Sequence, residues 1–156
     1  MEYEIVSMPE RIALGITART NNHAPDMGSV IGGLWESFYA KGYFEKIPEG
    51  RKNSVLGIYS DYAGNEQGDY DMTVACEIES VPEAGCVPEG MTVKKIPAGR
   101  YCKFIVRGHI QRAVAEFWQK LWQMDLDRAF AADYEEYVNG SAEDAEIHIY
   151  IGIREK

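Results

Sequence analysis

The sequence predicts an α+β fold: a tandem repeat of two ββαββ units related by a pseudo-twofold axis. Three observations predict it. Two amphipathic helical stripes are each flanked by β-rich segments. Two segments, SMPERIALGI and KIPAGRYCKF, are alike in placing a proline just before a β stretch. A Pro/Gly-rich connector, SVPEAGCVPEG, separates the two sets. The 156 residues suit one domain. Repeat one covers about 1–80, the connector about 81–90 and repeat two about 91–156.

Residues 2–7 and 11–19 read as β segments divided by Pro9, which has no N–H for a ladder. After the polar loop 21–28, Val30, Ile31, Leu34, Trp35 and Phe38 form a helical stripe, ended by Gly42. Residues 54–62 and 70–79 are rich in Val, Ile, Tyr and Thr, and the turn residues Gly64, Asn65 and Gly68 make them a hairpin. Beyond the connector, β segments 91–96 and 100–107 are divided by Pro97 and Gly99. Val114, Phe117, Trp118, Leu121 and Trp122 form the second stripe. Residues 132–138 and 146–153 are strands around Asn139-Gly140-Ser141. Each helix is expected to cover one face of its own strands, leaving the other faces to meet or to flank a cleft, where ligand sites favour the seam.

Composition excludes several classes. The net charge of −9 repels phosphate backbones and anionic lipid heads. Direct DNA binding and membrane association are therefore not expected; no apolar run approaches a membrane span. Cys76, Cys86 and Cys102 are odd in number and lack a C-x-x-C pair, which fits a reducing compartment. The start, Met1-Glu2-Tyr3-Glu4, has neither a basic nor an apolar signal region, so a cytoplasmic location is expected. Metal and nucleotide motifs are lacking, and no cofactor is expected. His23 and His109 fall in a loop and at a helix start, and Lys94-Lys95 and Arg51-Lys52 are isolated pairs that read as solvated surface.

The last strand carries the clearest chemistry. Ile147, Ile149, Ile151 and Ile153 alternate with Glu146, His148, Tyr150 and Gly152, so the isoleucines should face a helix. Pairing Val138 with Ile147 would set Glu135 opposite Tyr150 and Tyr137 opposite His148, all on one face; a one-residue slip would separate them. A carboxylate among aromatic groups either attracts a cation or, with its pKa raised by burial, works with the Tyr150 hydroxyl as an acid/base pair. The bland alternative is a polar face that simply meets solvent. Trp35, Trp118 and Trp122 lie on core stripes, yet helices beside a seam can bring one to a ligand; Tyr70, at a strand start, is a further candidate wall.

"YEIVSMPERIALGI", "IPAGRYCKFIVRG", "YEEYVNG" and "EIHIYIGI", in that order, resemble the GyrI-like small-molecule-binding domain, also called the AraC-type or Rob-type effector-binding domain. The resemblance covers nearly the whole chain. It implies two βαββ modules around a central cleft. Members of that family include effector domains of multidrug-sensing regulators, a DNA gyrase inhibitor, and stand-alone proteins, some of which hydrolyse cyclopropanoid DNA-alkylating toxins. The family's aromatic-Glu-x-Tyr segment matches Tyr134-Glu135-Glu136-Tyr137, which puts its pocket glutamate at Glu135. The tyrosine of its last strand falls on Tyr150, followed here by Ile151-Gly152-Ile153 instead of Ile-Pro-Ile, and an acidic position two residues earlier is His148. The resulting expectation is a stand-alone binder of aromatic or cationic drug-like compounds, using Glu135, Tyr137, His148 and Tyr150 with Trp35, Tyr70, Trp118 and Trp122. The alternatives are a hydrolase of electrophilic toxins using Glu135 and Tyr150, and an interaction module for gyrase or a transcription regulator.

Overall fold

The computed structural model describes residues 2–47, 55–64, 68–83, 85–139 and 143–154. Asn65, Gly140, Ser141 and the Arg51-Lys52 pair lie outside the described residues. The elements run β1 (Glu4–Met8), β2 (Arg11–Thr20), α1 (Met27–Ala40), α2 (Tyr43–Lys46), β3 (Val55–Ser60), β4 (Tyr70–Ile78), β5 (Thr92–Ile96), β6 (Gly99–Gly108), α3 (Ile110–Leu121), β7 (Arg128–Tyr137) and β8 (Ala145–Ile153). The short α2, a single turn of Tyr-Phe-Glu-Lys after Gly42 in the left-handed region, was not expected from periodicity. One turn is too short to show a stripe.

One antiparallel sheet holds the strands in the order β1-β6-β8-β7-β3-β4-β2-β5. The order is a palindrome: exchanging β1–β4 with β5–β8 reads it from the other edge. The ladders obey the same exchange. Met8 pairs with Gly99, and Ile96 pairs with Arg11, which matches Pro9 to Pro97. Leu14–Cys76 then corresponds to Cys102–Ile151, and Tyr59–Met72 to Tyr137–Ile147. The β3–β7 pair Gly57–Glu135 corresponds to itself, so the pseudo-twofold axis passes through it.

The first strand of each half pairs with the other half, whereas the sequence reading kept each half's strands together. Pro9 and Pro97 mark the points of exchange. Met8 and Arg11 lie on strands near opposite ends of the sheet order, yet three chain steps span at most about 11 Å. The sheet must therefore curl until its edges approach. This curl explains a core on the face that no described helix covers, where Ala13, Leu56, Ile58, Ile96, Tyr101 and Tyr134 are at most 2% exposed. Tyr101 fastens the closure by donating its hydroxyl to the Pro97 carbonyl at 2.6 Å. Within the same core Arg11 bridges Glu77 and Glu136 and lies over the Tyr134 ring.

The outer face carries two further cores. One packs Phe38 of α1 on Leu14, Met72 and Val74; the other packs Phe117 and Leu121 of α3 on Ile147, Ile149 and Ile151. The isoleucines of β8 do face their helix, each fully buried side chain contributing about 1.5–3 kcal/mol. No described helix is long and apolar enough to cross a membrane.

Two expectations about β7 need correction. It begins at Arg128, four residues before the expected start at 132, and its pairing with β8 is irregular between Arg128 and Asp133. Phe130 lies in that stretch with φ 53°. The Arg128 guanidinium stacks over it, and fully buried Asp133 accepts bonds from Arg128 and from the Gly152 N–H. The hairpin also closes one residue away from the expected register: Tyr137, not Val138, is opposite Ile147, and Tyr134 is opposite Tyr150. Those two tyrosine rings stack at 4.6 Å inside the curled sheet, and that burial fixes which side chains face in.

Candidate functional site

The register decides the site. Glu135 and Tyr137 point to the outer, helix-covered face, whereas His148 and Tyr150 point into the other. Glu135 and Tyr150 therefore lie on opposite sides of the sheet and cannot work as one acid/base pair, contrary to the sequence reading. Tyr150 is a core residue, 5% exposed, stacked on Tyr134 with the Lys103 ammonium over its ring. His148 bonds Glu146 at 2.8 Å on that same inner face. Trp122 lies just beyond the end of α3 and is 45% exposed.

The remaining expected residues do come together. Glu135 sits at the middle of the sheet, where α1 and α3 flank the axis. Its side chain accepts three hydrogen bonds: Tyr137 Oη donates to Oε1 at 2.6 Å, while Tyr59 Oη and Trp118 Nε1 donate to Oε2 at 2.8 and 2.7 Å. Gly57 lies opposite it on β3. A Cβ at Gly57 would stand 3.1 Å from Glu135 Oε1, 3.2 Å from Met72 Cε and 3.4 Å from Trp35 Cζ2. Glycine spares the carboxylate and the Met72 methyl a contact a few tenths of an ångström too tight, and leaves the indole free to come close.

The walls repeat the symmetry. Trp35 of α1 meets Tyr137 edge-on at 4.9 Å between ring centroids, and Trp118 of α3 meets Tyr59 in the same way at 4.9 Å. Tyr70 packs behind Tyr59, 5.7 Å between ring centroids, as a core residue with its hydroxyl donating to Asn22. Sequence reasoning missed Tyr59 and Gly57. The signal was an isolated glycine within a strand pattern, which marks a close approach by another group.

Glu135 is 1% exposed, and no described residue forms an ion pair with it. Burial raises its pKa above the ordinary carboxylate value; the bonds from Tyr137, Trp118 and Tyr59 oppose that rise without cancelling it. Burial and then the Glu135 charge hold the Tyr59 hydroxyl well above its usual value, and Tyr137 likewise. Tyr70 is pushed up to about 12 by burial and by Glu135. The neutral donors therefore keep their protons at neutral pH. No group of His, Cys, Asp and Glu among the described residues is placed to hold a metal ion.

A family model described as Cass2, integron-associated effector binding protein, matches residues 4–153. The chain belongs to that family. It is a GyrI-like family, in keeping with the four sequence segments that resembled one. Among solved structures, an integron cassette protein of the Cass2 type from the mobile metagenome of Vibrio cholerae is 28% identical, with a TM-score of 0.71 over 96% of this chain and 95% of that one. SAV2435, solved bound to tetraphenylphosphonium, is 17% identical with a TM-score of 0.75, covering 99% and 94%. The EcmrR C-terminal domain is 17% identical with a TM-score of 0.56, each chain covered completely. The last two share the fold of this Cass2 family member. No curated protein matches the sequence.

Proposed function

We propose that this protein binds organic cations with aromatic bodies in the box formed by Glu135, Tyr59, Tyr137, Trp35 and Trp118. The observation that carries the reading is a carboxylate 1% exposed whose partners are all neutral donors. A buried charge without a counterion is costly, and a ligand that brings the counterion with its own apolar body relieves that cost. The rings supply stacking and cation–π attraction, on the order of 2 kcal/mol for a desolvated cation. Membership of an effector-binding family supports the reading, as does the tetraphenylphosphonium found on a protein of the same fold.

The test is a pair of titrations followed by tryptophan fluorescence and calorimetry. Methyltriphenylphosphonium should bind and quench Trp35 or Trp118. Neutral triphenylphosphine oxide, of similar shape, should bind weaker by about 1–3 kcal/mol, the scale of a charged partner in a poorly solvated site. In Glu135→Gln the two ligands should bind alike. Equal affinities in the wild-type protein would falsify the proposal.

A further inference from the structure

The two halves differ at one outer corner. In the first half a long connection from α1 to β3 carries α2, and Tyr43, Phe44 and Ile47 pack with Leu14, Met91, Val93 and Ile78. Tyr43 lies so close that a Cβ on Gly90 would stand 3.1 Å from its hydroxyl. Beneath this cover Met91 is 8% exposed. In the second half only residues 122–127 join α3 to β7, and no helix stands among them. The exchange that sets Pro9 on Pro97 sets Tyr3 on Met91 and Ile5 on Val93. It also sets Cys102 on Leu14 and Ile153 on Ile78. Tyr3 and Ile5 are 43% and 50% exposed. With Cys102, Leu126, Ile153 and Arg100 they line a cavity of about 320 Å³. It is the place that α2 fills in the other half.

We propose that this cavity is a second binding site, for a flat aromatic carboxylate or sulfonate. Its volume is at the small end of ligand sites, enough for one fused ring pair. The covered counterpart shows what these walls accept, since aromatic and aliphatic side chains fill it. Charge selects the class. Where the first half has Ile12, the second has Arg100, half-buried and without an ion pair to any described residue. Arg154, also on the lining, already faces Asp127 at 3.6 Å. Asp125 is exposed at the rim, where water screens it. A half-buried guanidinium beside an apolar hollow holds a planar carboxylate with charge-assisted hydrogen bonds. The site is remote from Glu135 along the sheet and does not depend on how that residue is used.

Calorimetry on the full chain tests this with naphthalene-2-carboxylate and its neutral carboxamide. The carboxylate should bind one to one, and saturating methyltriphenylphosphonium should leave that binding unchanged. Arg100→Gln should weaken the carboxylate about tenfold or more, the scale of one charge-assisted hydrogen bond, and the amide little. Ile5→Trp, on the exposed edge strand, should fill the hollow and abolish binding of both probes. The proposal is overturned by no binding at millimolar probe, by competition with the phosphonium, by an unchanged affinity in Arg100→Gln, or by undiminished binding in Ile5→Trp.

Discussion

Replacing Glu135 by Gln should make the ligand-free protein more stable at pH 8 and no more stable at pH 4. Burial raises the folded-state pKa of Glu135 above its unfolded value. The folded chain then holds its proton to higher pH than the unfolded chain does. Stability therefore falls as pH climbs from the ordinary carboxylate value through the raised one, and it stays reduced above it. Gln carries no charge to desolvate, so its stability lacks that slope. The geometry lets Gln keep every partner. Its carbonyl can take the Oε2 position and accept from Tyr59 and Trp118, while its amide donates to the Tyr137 oxygen. Three bonds to residue 135 remain, with that to Tyr137 reversed, so the difference is desolvation less the extra strength of charged over neutral bonds and the turning of the Tyr137 hydroxyl, on the order of 1–2 kcal/mol. For a chain of this length that is roughly 2–8 °C in melting temperature. Leu at the same place has no acceptor, strands three buried donors and should cost several kcal/mol, about 1–3 for each. Thermal melts of the three proteins from pH 4 to pH 8 give the answer. A constant gap between wild type and Glu135→Gln across that range, or a less stable Gln variant at pH 8, refutes the account of Glu135 as a charge held against its solvation cost.

Gly57→Ala should lower stability by about 1–3 kcal/mol and weaken phosphonium binding, because the new methyl presses on Glu135 Oε1 and Met72 Cε; chemical denaturation and titration check both. Arg11→Met removes the guanidinium between Glu77 and Glu136 and should cost about 3–5 kcal/mol by denaturant unfolding, while leaving cation binding at Glu135 intact because Arg11 lies on the other face. With a net charge of −9 the isolated chain should give no salt-sensitive, sub-micromolar gel shift of duplex DNA.

Much of the fold was legible because it is written in periodicity. The β8 isoleucines announced their helix, and Pro9 and Pro97 announced a repeat whose halves meet at an axis. The exchange of β1 and β5 between halves was not legible, since nothing local tells a strand which neighbour it will pair with. The site was half legible. Glu135, Tyr137, Trp35 and Trp118 do meet, but Tyr150 and His148 do not join them. One residue of register moves a side chain to the other face, and that residue was decided by a long-range event, the stacking of Tyr134 on Tyr150 within the curled sheet. The irregular stretch around Phe130 was hidden for a different reason: Arg128 and Asp133, which hold its left-handed backbone, are near in sequence, but an ion pair across a bulge leaves no periodic signal.

The axis through Gly57 and Glu135 has a consequence for how such a site can arise. Two identical half-chains placed about that axis would present the same residue twice. Two glutamates would face each other as like charges at close range, and both could not ionise; two glycines would leave the rings without any charge. A single carboxylate between matched Trp–Tyr walls requires the halves to differ at one position, which one chain carrying both halves allows. On the proposed function, a ligand entering this box would meet two nearly equivalent aromatic sides and one negative pole. It could then turn over about the axis at little cost in ring contacts, so long as its positive centre stayed near the middle. Tolerance of shape and insistence on a central charge would then have one origin: a duplication left symmetric in its walls and broken at the single pair where symmetry would have been self-defeating.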